Sequence, residues 1–164
     1  MSQPILGTGL SGLVGSRIVD LLSSKYSFEN LDLTIGVDIT NEDQVFHAIE
    51  KSSAKTIIHM AAFTDVMAAH EQQGDKNGLC YKVNVIGTEN IARAAQKTGK
   101  HLIHLSTAFV FDGEKEELYL EDDVLNPIEW YGKTKALAEE AVQSMCDSWT
   151  IFRIDQPFRS DIYE

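Results

Sequence analysis

Cysteine is scarce. The two present, Cys80 and Cys146, lie far apart and outside any Cys-x-x-Cys spacing, which speaks against a zinc site and a disulfide framework and for a reducing cytosol. Basic residues are scarce as well: 14 Lys and Arg stand against 25 Asp and Glu. The resulting formal charge of −11 repels phosphate backbones and anionic lipid surfaces, so nucleic acid and membranes are set aside as partners. No stretch approaches the roughly 18 consecutive apolar residues of a membrane span. The first residues, Met1 to Gly7, lack the basic segment and apolar core of a secretion signal, so a soluble, cytoplasmic protein is expected. Internal repeats, low-complexity tracts and linkers are absent too. The acidic stretch Glu114–Asp123 reads as a solvated loop.

What is there suits one folded domain: 164 residues, 43% hydrophobic and 24% charged. Short apolar runs bounded by turn residues alternate with segments of helical period, which predicts an α/β protein. The expected architecture is a Rossmann-type doubly wound, mostly parallel sheet with helices on both faces. Strands are predicted at Gln3–Thr8, Tyr26–Leu31, Ile35–Ile39, Lys55–His59, His101–Ser106 and Thr150–Ile154. Helices are predicted at Ser11–Ser24, Asn41–Lys51, Gly78–Thr98 and Ile128–Cys146, the last started by Pro127. The second and third strands stand only about three residues apart, against the dozen or so that a parallel crossover needs. On the first helix Leu13, Val14, Ile18, Leu21 and Leu22 share the expected core face, and on the long third helix Leu79, Val83, Ile86, Ile91 and Ala94 do.

Three features carry chemistry. Gly7 to Gly15 joins a predicted strand to a predicted helix; Gly9 permits the tight turn, Gly12 lets backbone approach a pyrophosphate, and Gly15 lets helix and strand pack closely. Glu29 lies 20 residues after Gly9, with Asp32 following, so an acidic group is available for an adenosine ribose 2′-OH. No arginine falls between Arg17 and Arg93, which favours NAD over NADP, while Arg17 and Lys25 keep NADP open. Tyr131 and Lys135, four apart, share a helix face, where an ammonium near a phenol favours the phenolate. Ser106 and Thr107 follow an apolar strand and so fall at its C-terminal end, where open α/β sheets bind ligands. Of the histidines, His101 and His104 point to opposite faces of a strand and His59 and His70 have no supporting cluster, so no metal is expected.

These motifs, with Val37–Thr40, His59–Thr64 and Val83–Asn90, resemble the extended short-chain dehydrogenase/reductase family over essentially the whole chain. Within it, Leu105–Gly113, Glu121–Asp123 and Asn126–Lys135 are similar to the dTDP-4-dehydrorhamnose reductase branch, which binds sugar nucleotides. The resemblance implies that Tyr131 is the general acid/base, Lys135 its activator and a cofactor ribose ligand, and Thr107 a hydrogen-bond partner of the substrate carbonyl. It implies a cofactor loop of Gly9, Leu10, Ser11, Gly12, Leu13 and Val14. Asp38 and Ile39 would flank the adenine, Ala61, Ala62 and Thr64 would line the cofactor path, and Asn84 would organise the site. Ser106, Ala108 and Phe109 would face the substrate. Ala108 and Phe109 stand where the reductase branch has Asp-Tyr, and epimerases carry small residues at the first of these positions.

A reductase acting on a nucleotide-activated 4-keto sugar with NAD(H) or NADP(H) is therefore the expected activity. A nucleotide-sugar epimerase or dehydratase and a non-catalytic, cofactor-binding regulatory protein stand as the alternatives. The resemblance further implies a homodimer through the long helix and the Tyr131 helix. Residues 1–164 would form the dinucleotide-binding domain, without the C-terminal substrate-binding region of relatives.

Overall fold

The computed structural model describes residues 2–157. Five strands, β1 (Gln3–Thr8), β2 (Tyr26–Asn30), β3 (Thr56–His59), β4 (His101–Thr107) and β5 (Trp149–Ile154), form one all-parallel sheet in the order β2-β1-β3-β4-β5. The helices are α1 (Leu13–Leu22), α2 (Glu42–Lys51), α3 (Val66–Glu71), α4 (Leu79–Tyr81), α5 (Thr88–Thr98) and α6 (Trp130–Met145). Between α4 and α5 the residues Lys82–Gly87 continue the same rod as a π-helical stretch. From β1 the chain moves one way to β2 and then back past β1 to β3. Right-handed crossovers taken in opposite directions put α1 on one face of the sheet and α2, α5 and α6 on the other. The reversal also opens a crevice between the C-terminal ends of β1 and β3.

Alternation along the strands sends Leu6, Ile57 and Leu102 to the face covered by α2, α5 and α6, where Val45, Ile49, Ile91 and Val142 meet them, all at most 3% exposed. Each such side chain contributes about 1.5–3 kcal/mol by leaving water. On α1 the expected face is realised only in part: Val14, Ile18 and Leu22 are half-buried, Leu13 and Leu21 are 43% and 59% exposed, and Gly15 is the helix's one buried residue. Leu79, expected in the core, is 57% exposed at the start of its rod.

Two expected elements are corrected. Ile35–Ile39 is not a strand, so the sheet has five strands and the short crossover does not arise. Local turn chemistry wins over β-branched composition there: the Asp32 carboxylate accepts from the Thr34 amide at 2.8 Å, Gly36 takes φ +78°, and the Asp38 carboxylate accepts from the Thr40 amide at 2.9 Å. The last helix does not begin at Pro127. Its N-cap is Glu129, whose carboxylate accepts from the Tyr131 and Gly132 amides, each at 2.8 Å. The short helix α3, capped by Asp65 over the Ala68 amide at 2.9 Å, is an addition to the expected set. No described helix is long and apolar enough to cross a membrane.

Candidate functional site

A cleft of about 680 Å³ lies over the C-terminal ends of the strands, between the β1–α1 turn, the segments after β2 and β3, the end of β4 and the first turns of α6. The glycine turn makes its floor at one end. Gly9 has φ +67°, and a Cβ there would stand 2.8 Å from the Ala61 amide nitrogen, so the turns after β1 and β3 touch backbone to backbone. A Cβ on Gly15 would stand 2.2 Å from the Gly9 carbonyl oxygen, which is why α1 can start so close under the turn. No side chain caps α1 at Gly12, so its first-turn N–H groups are available to an anion in the cleft.

Gly9, Ser11, Gly12, Leu13 and Val14 line this end, with Asp38 and Ile39 on the next wall and Ala61, Ala62 and Thr64 on the one after. Three of the residues expected at the cofactor site do not reach the cleft. Leu10 turns inward beneath Gly7 and is 8% exposed. Glu29 is still inside β2, in register with Leu6, and its carboxylate accepts from the Ser52 hydroxyl in a separate small recess. The acid nearest the end of β2 that reaches the cleft, where it joins Asp38, is Asp32. Burial works to raise its pKa, but hydrogen bonds from Thr34 and Asn30 hold the carboxyl below the ordinary value. Asn84 is 1% exposed and works from behind: its amide accepts from the Phe63 N–H at 2.8 Å and donates to the Phe63 carbonyl at 3.1 Å. It also donates to Thr134 Oγ1 at 3.0 Å, whose hydroxyl donates to the Tyr131 carbonyl at 2.7 Å. The loop after β3 is thereby tied to the first turn of α6.

At the other end stand Ser106, Thr107, Phe109, Tyr131 and Lys135. Ala108 opens the 3-10 turn Ala108–Val110 and is not a cleft residue. Phe109 meets the Tyr131 ring edge-on at 5.8 Å between centroids. Burial pushes the Tyr131 phenol above its ordinary pKa, against a hydrogen bond with Thr107 that works downward. The expected lowering by lysine is absent here, because Lys135 Nζ is held elsewhere, donating to the Leu105 carbonyl at 2.8 Å and lying 3.3 Å from His104 Nε2. Burial lowers the Lys135 ammonium to about 8, with Glu139 opposing. Ser106 is 3% exposed and its hydroxyl has no partner.

Sequence reasoning passed over Leu33, Thr34, Val37, Met60, Val66, Val83, Leu105 and Ile154 to Pro157, which complete the lining. Leu33, Met60 and Pro157 are apolar residues just past strand ends, and for these that position is the signal that would have found them. Both cysteines are free and buried, and burial raises both thiols, Cys146 to about 11, which makes them unreactive.

Comparison with known proteins agrees with this geometry. Residues 3–161 match the family model described as the RmlD substrate binding domain. A curated dTDP-4-dehydrorhamnose reductase from Aggregatibacter actinomycetemcomitans is 35% identical over 94% of this chain and 51% of its own length. A crystal structure of dTDP-4-dehydrorhamnose reductase from Bacillus anthracis in complex with NADP superposes with a TM-score of 0.86 at 32% identity, covering 94% of this chain and 54% of that one. UDP-glucose 4-epimerase from Thermus thermophilus, in complex with NAD, gives a TM-score of 0.78 at 26% identity over 92% of this chain and 54% of that one. The chain spans about half the length of the curated relatives it matches.

Proposed function

Because this chain belongs to the RmlD substrate binding domain family, we propose that residues 1–164 are the dinucleotide-binding domain of an NAD(P)-dependent reductase acting on a nucleotide-activated 4-keto sugar. The observation that carries the reading is the single cleft that gathers a glycine turn, the Asp32 carboxylate and the Thr107, Tyr131 and Lys135 side chains. The backbone contacts of Gly9 and Gly15 leave the turn open to a pyrophosphate, and the uncapped start of α1 supplies N–H groups to it, so the residues present fit a dinucleotide. When bound, the nicotinamide ring would exchange a hydride with the sugar carbon. Tyr131 Oη gives its proton to the carbonyl oxygen and the Thr107 hydroxyl holds that oxygen in line, while Lys135 Nζ has one N–H left for the cofactor ribose. Asp32 at the adenosine end favours a free ribose 2′-OH and repels a 2′-phosphate, so NAD(H) is preferred over NADP(H).

The epimerase alternative draws on the likeness to the Thermus thermophilus enzyme and on the small Ala108 beside Phe109. One assay separates the readings. NADH and NADPH are titrated with protein fluorescence, and each is then mixed with a dTDP-4-keto sugar. The expected result is tighter binding of NADH and its consumption in step with sugar reduced. Sugar interconversion without net NADH loss makes the chain an epimerase, and saturable binding without any turnover makes it a non-catalytic cofactor binder. Absence of binding by either nucleotide overturns the reading.

The same reading includes a cytoplasmic location, supported by two free thiols in the chain, and a homodimer through the long helix rod and α6. The large exposed apolar side chains there are Leu79 and Leu137, at 57% and 37%, with Met67 at 77% on the neighbouring α3. Light scattering is expected to give twice the chain mass, and Leu79→Asp combined with Leu137→Asp to give the chain mass alone. A monomer at high concentration removes the proposal.

A further inference from the structure

Beneath the cleft lie two buried histidines that the reaction as proposed does not use. His59 on β3 and His104 on β4 are 0% and 1% exposed, with ring centroids 5.3 Å apart. The hydrogen-bond partners of His59 settle its tautomer. Thr8 Oγ1 accepts from the Met60 and Ala61 amides, each at 3.0 Å, so its one proton goes to His59 Nδ1 at 2.7 Å. Thr88 Oγ1 spends its proton on the Asn84 carbonyl at 2.7 Å, so it accepts from His59 Nε2 at 3.0 Å. His59 therefore carries its proton on Nε2 and has both nitrogens satisfied.

His104 is arranged the other way. Its Nε2 lies 3.3 Å from Lys135 Nζ and its Nδ1 has no partner. An ammonium has three N–H bonds and no acceptor. Lys135 is 2% exposed, and the Leu105 carbonyl takes one of its donors at 2.8 Å. We propose that His104 is a positioning residue for Lys135: neutral and protonated on Nδ1, it accepts a second ammonium N–H at Nε2, and the two acceptors together aim the third N–H into the cleft. This deepens, and rests on, the reading of the cleft as a dinucleotide site.

The groups facing Lys135 leave this task to His104. Tyr131 and Glu139 lie one helical turn to either side on α6, and the Glu139 carboxylate is already engaged by Arg153 at 2.7 Å. His59, beside His104 on the neighbouring strand, has no free nitrogen. Burial first, and the Lys135 charge second, hold both imidazoles in the uncharged form, His59 down to about 3 and His104 well below its ordinary value. A buried N–H without a partner on His104 Nδ1 is the consequence of reserving Nε2 for lysine. Were Nε2 free, exchange of the proton between nitrogens would carry no such constraint.

The test begins on the dinucleotide-free chain, uniformly labelled with ¹⁵N. Long-range proton–nitrogen spectra of the histidine rings at neutral pH are expected to show His104 protonated on Nδ1 and His59 on Nε2, with neither titrating between roughly pH 5 and 8. A proton on His104 Nε2 overturns the proposal, whatever the chain binds. Two variants then read the consequence: His104→Gln keeps an acceptor and His104→Leu does not. The NADH Kd is expected to rise about tenfold in His104→Leu, the effect of one charge-assisted hydrogen bond, and by less than about threefold in His104→Gln. Equal weakening in both assigns His104 to packing alone and overturns the role. Failure of the parent chain to bind NADH counts against the function proposed above, and the tautomer spectrum still decides this inference.

Discussion

Replacing Tyr131 with phenylalanine is expected to lower the rate of sugar reduction by about 10²–10⁴-fold, the contribution of a positioned proton donor, and to leave the NADH Kd within about threefold. The ring is 9% exposed and packs edge-on against Phe109, in one cluster with Trp130, Cys80 and Ala69, so phenylalanine fills the same space. What is lost is Oη and its hydrogen bond with Thr107. Burial keeps the phenol protonated well past neutrality, which is the form that gives a proton to a carbonyl oxygen. Reduction should therefore hold its rate through neutral pH, whereas the reverse oxidation, which needs the phenolate, should climb with pH. Single-turnover rates with NADH and a dTDP-4-keto sugar, set beside fluorescence titrations, separate the two quantities. A variant that keeps its turnover would take Tyr131 out of the chemistry and pass the proton-donor role to another group in the cleft.

The parts of this site legible in the sequence are those whose chemistry is local. A glycine turn between strand and helix shows in consecutive residues because φ, close backbone approach and the helix start all act within one turn. Tyr131 and Lys135 show because four residues are one turn of helix. The count of 20 residues from Gly9 to Glu29 carried no information about where β2 ends. Glu29 is still paired with Leu6 inside the sheet, and the first acid to reach the cleft is the one just beyond the strand, Asp32. A segment rich in isoleucine and valine at 35–39 was similarly misleading, because two aspartates and Gly36 close turns around it.

The contacts of Asn84, His59 and His104 were illegible for a different reason. Their partners, Phe63, Thr8, Thr88 and Lys135, stand 21 to 51 positions away, and only the sheet order brings them together. A buried histidine has the same three letters whether it serves packing or orients a lysine. The distinction lies in which nitrogen is left without a partner.

The lesson extends to Arg153, which nothing in its neighbourhood along the chain marks out. Its guanidinium holds Glu139 at two points, Nε to Oε1 at 3.0 Å and Nη2 to Oε2 at 2.7 Å, with the carboxylate side chain 1% exposed. Nη1 donates to the Glu121 carbonyl at 3.0 Å, and the group lies 5.1 Å from the centre of the Phe111 ring. One side chain thus joins β5 to α6 and to the segment that follows β4. Arg153→Met is expected to cost about 3–5 kcal/mol, because it strands a charge that water cannot reach. The measurement is the urea midpoint at unchanged slope. Adding Glu139→Gln to Arg153→Met removes the stranded charge and should recover most of the loss, even though two charged side chains are then missing instead of one. If the double variant were as unstable as the single one, packing and the Glu121 contact would account for the effect, and the buried pair would contribute little. Recovery would instead place the energetic weight on the uncompensated carboxylate, one helical turn from the lysine on which the cleft depends.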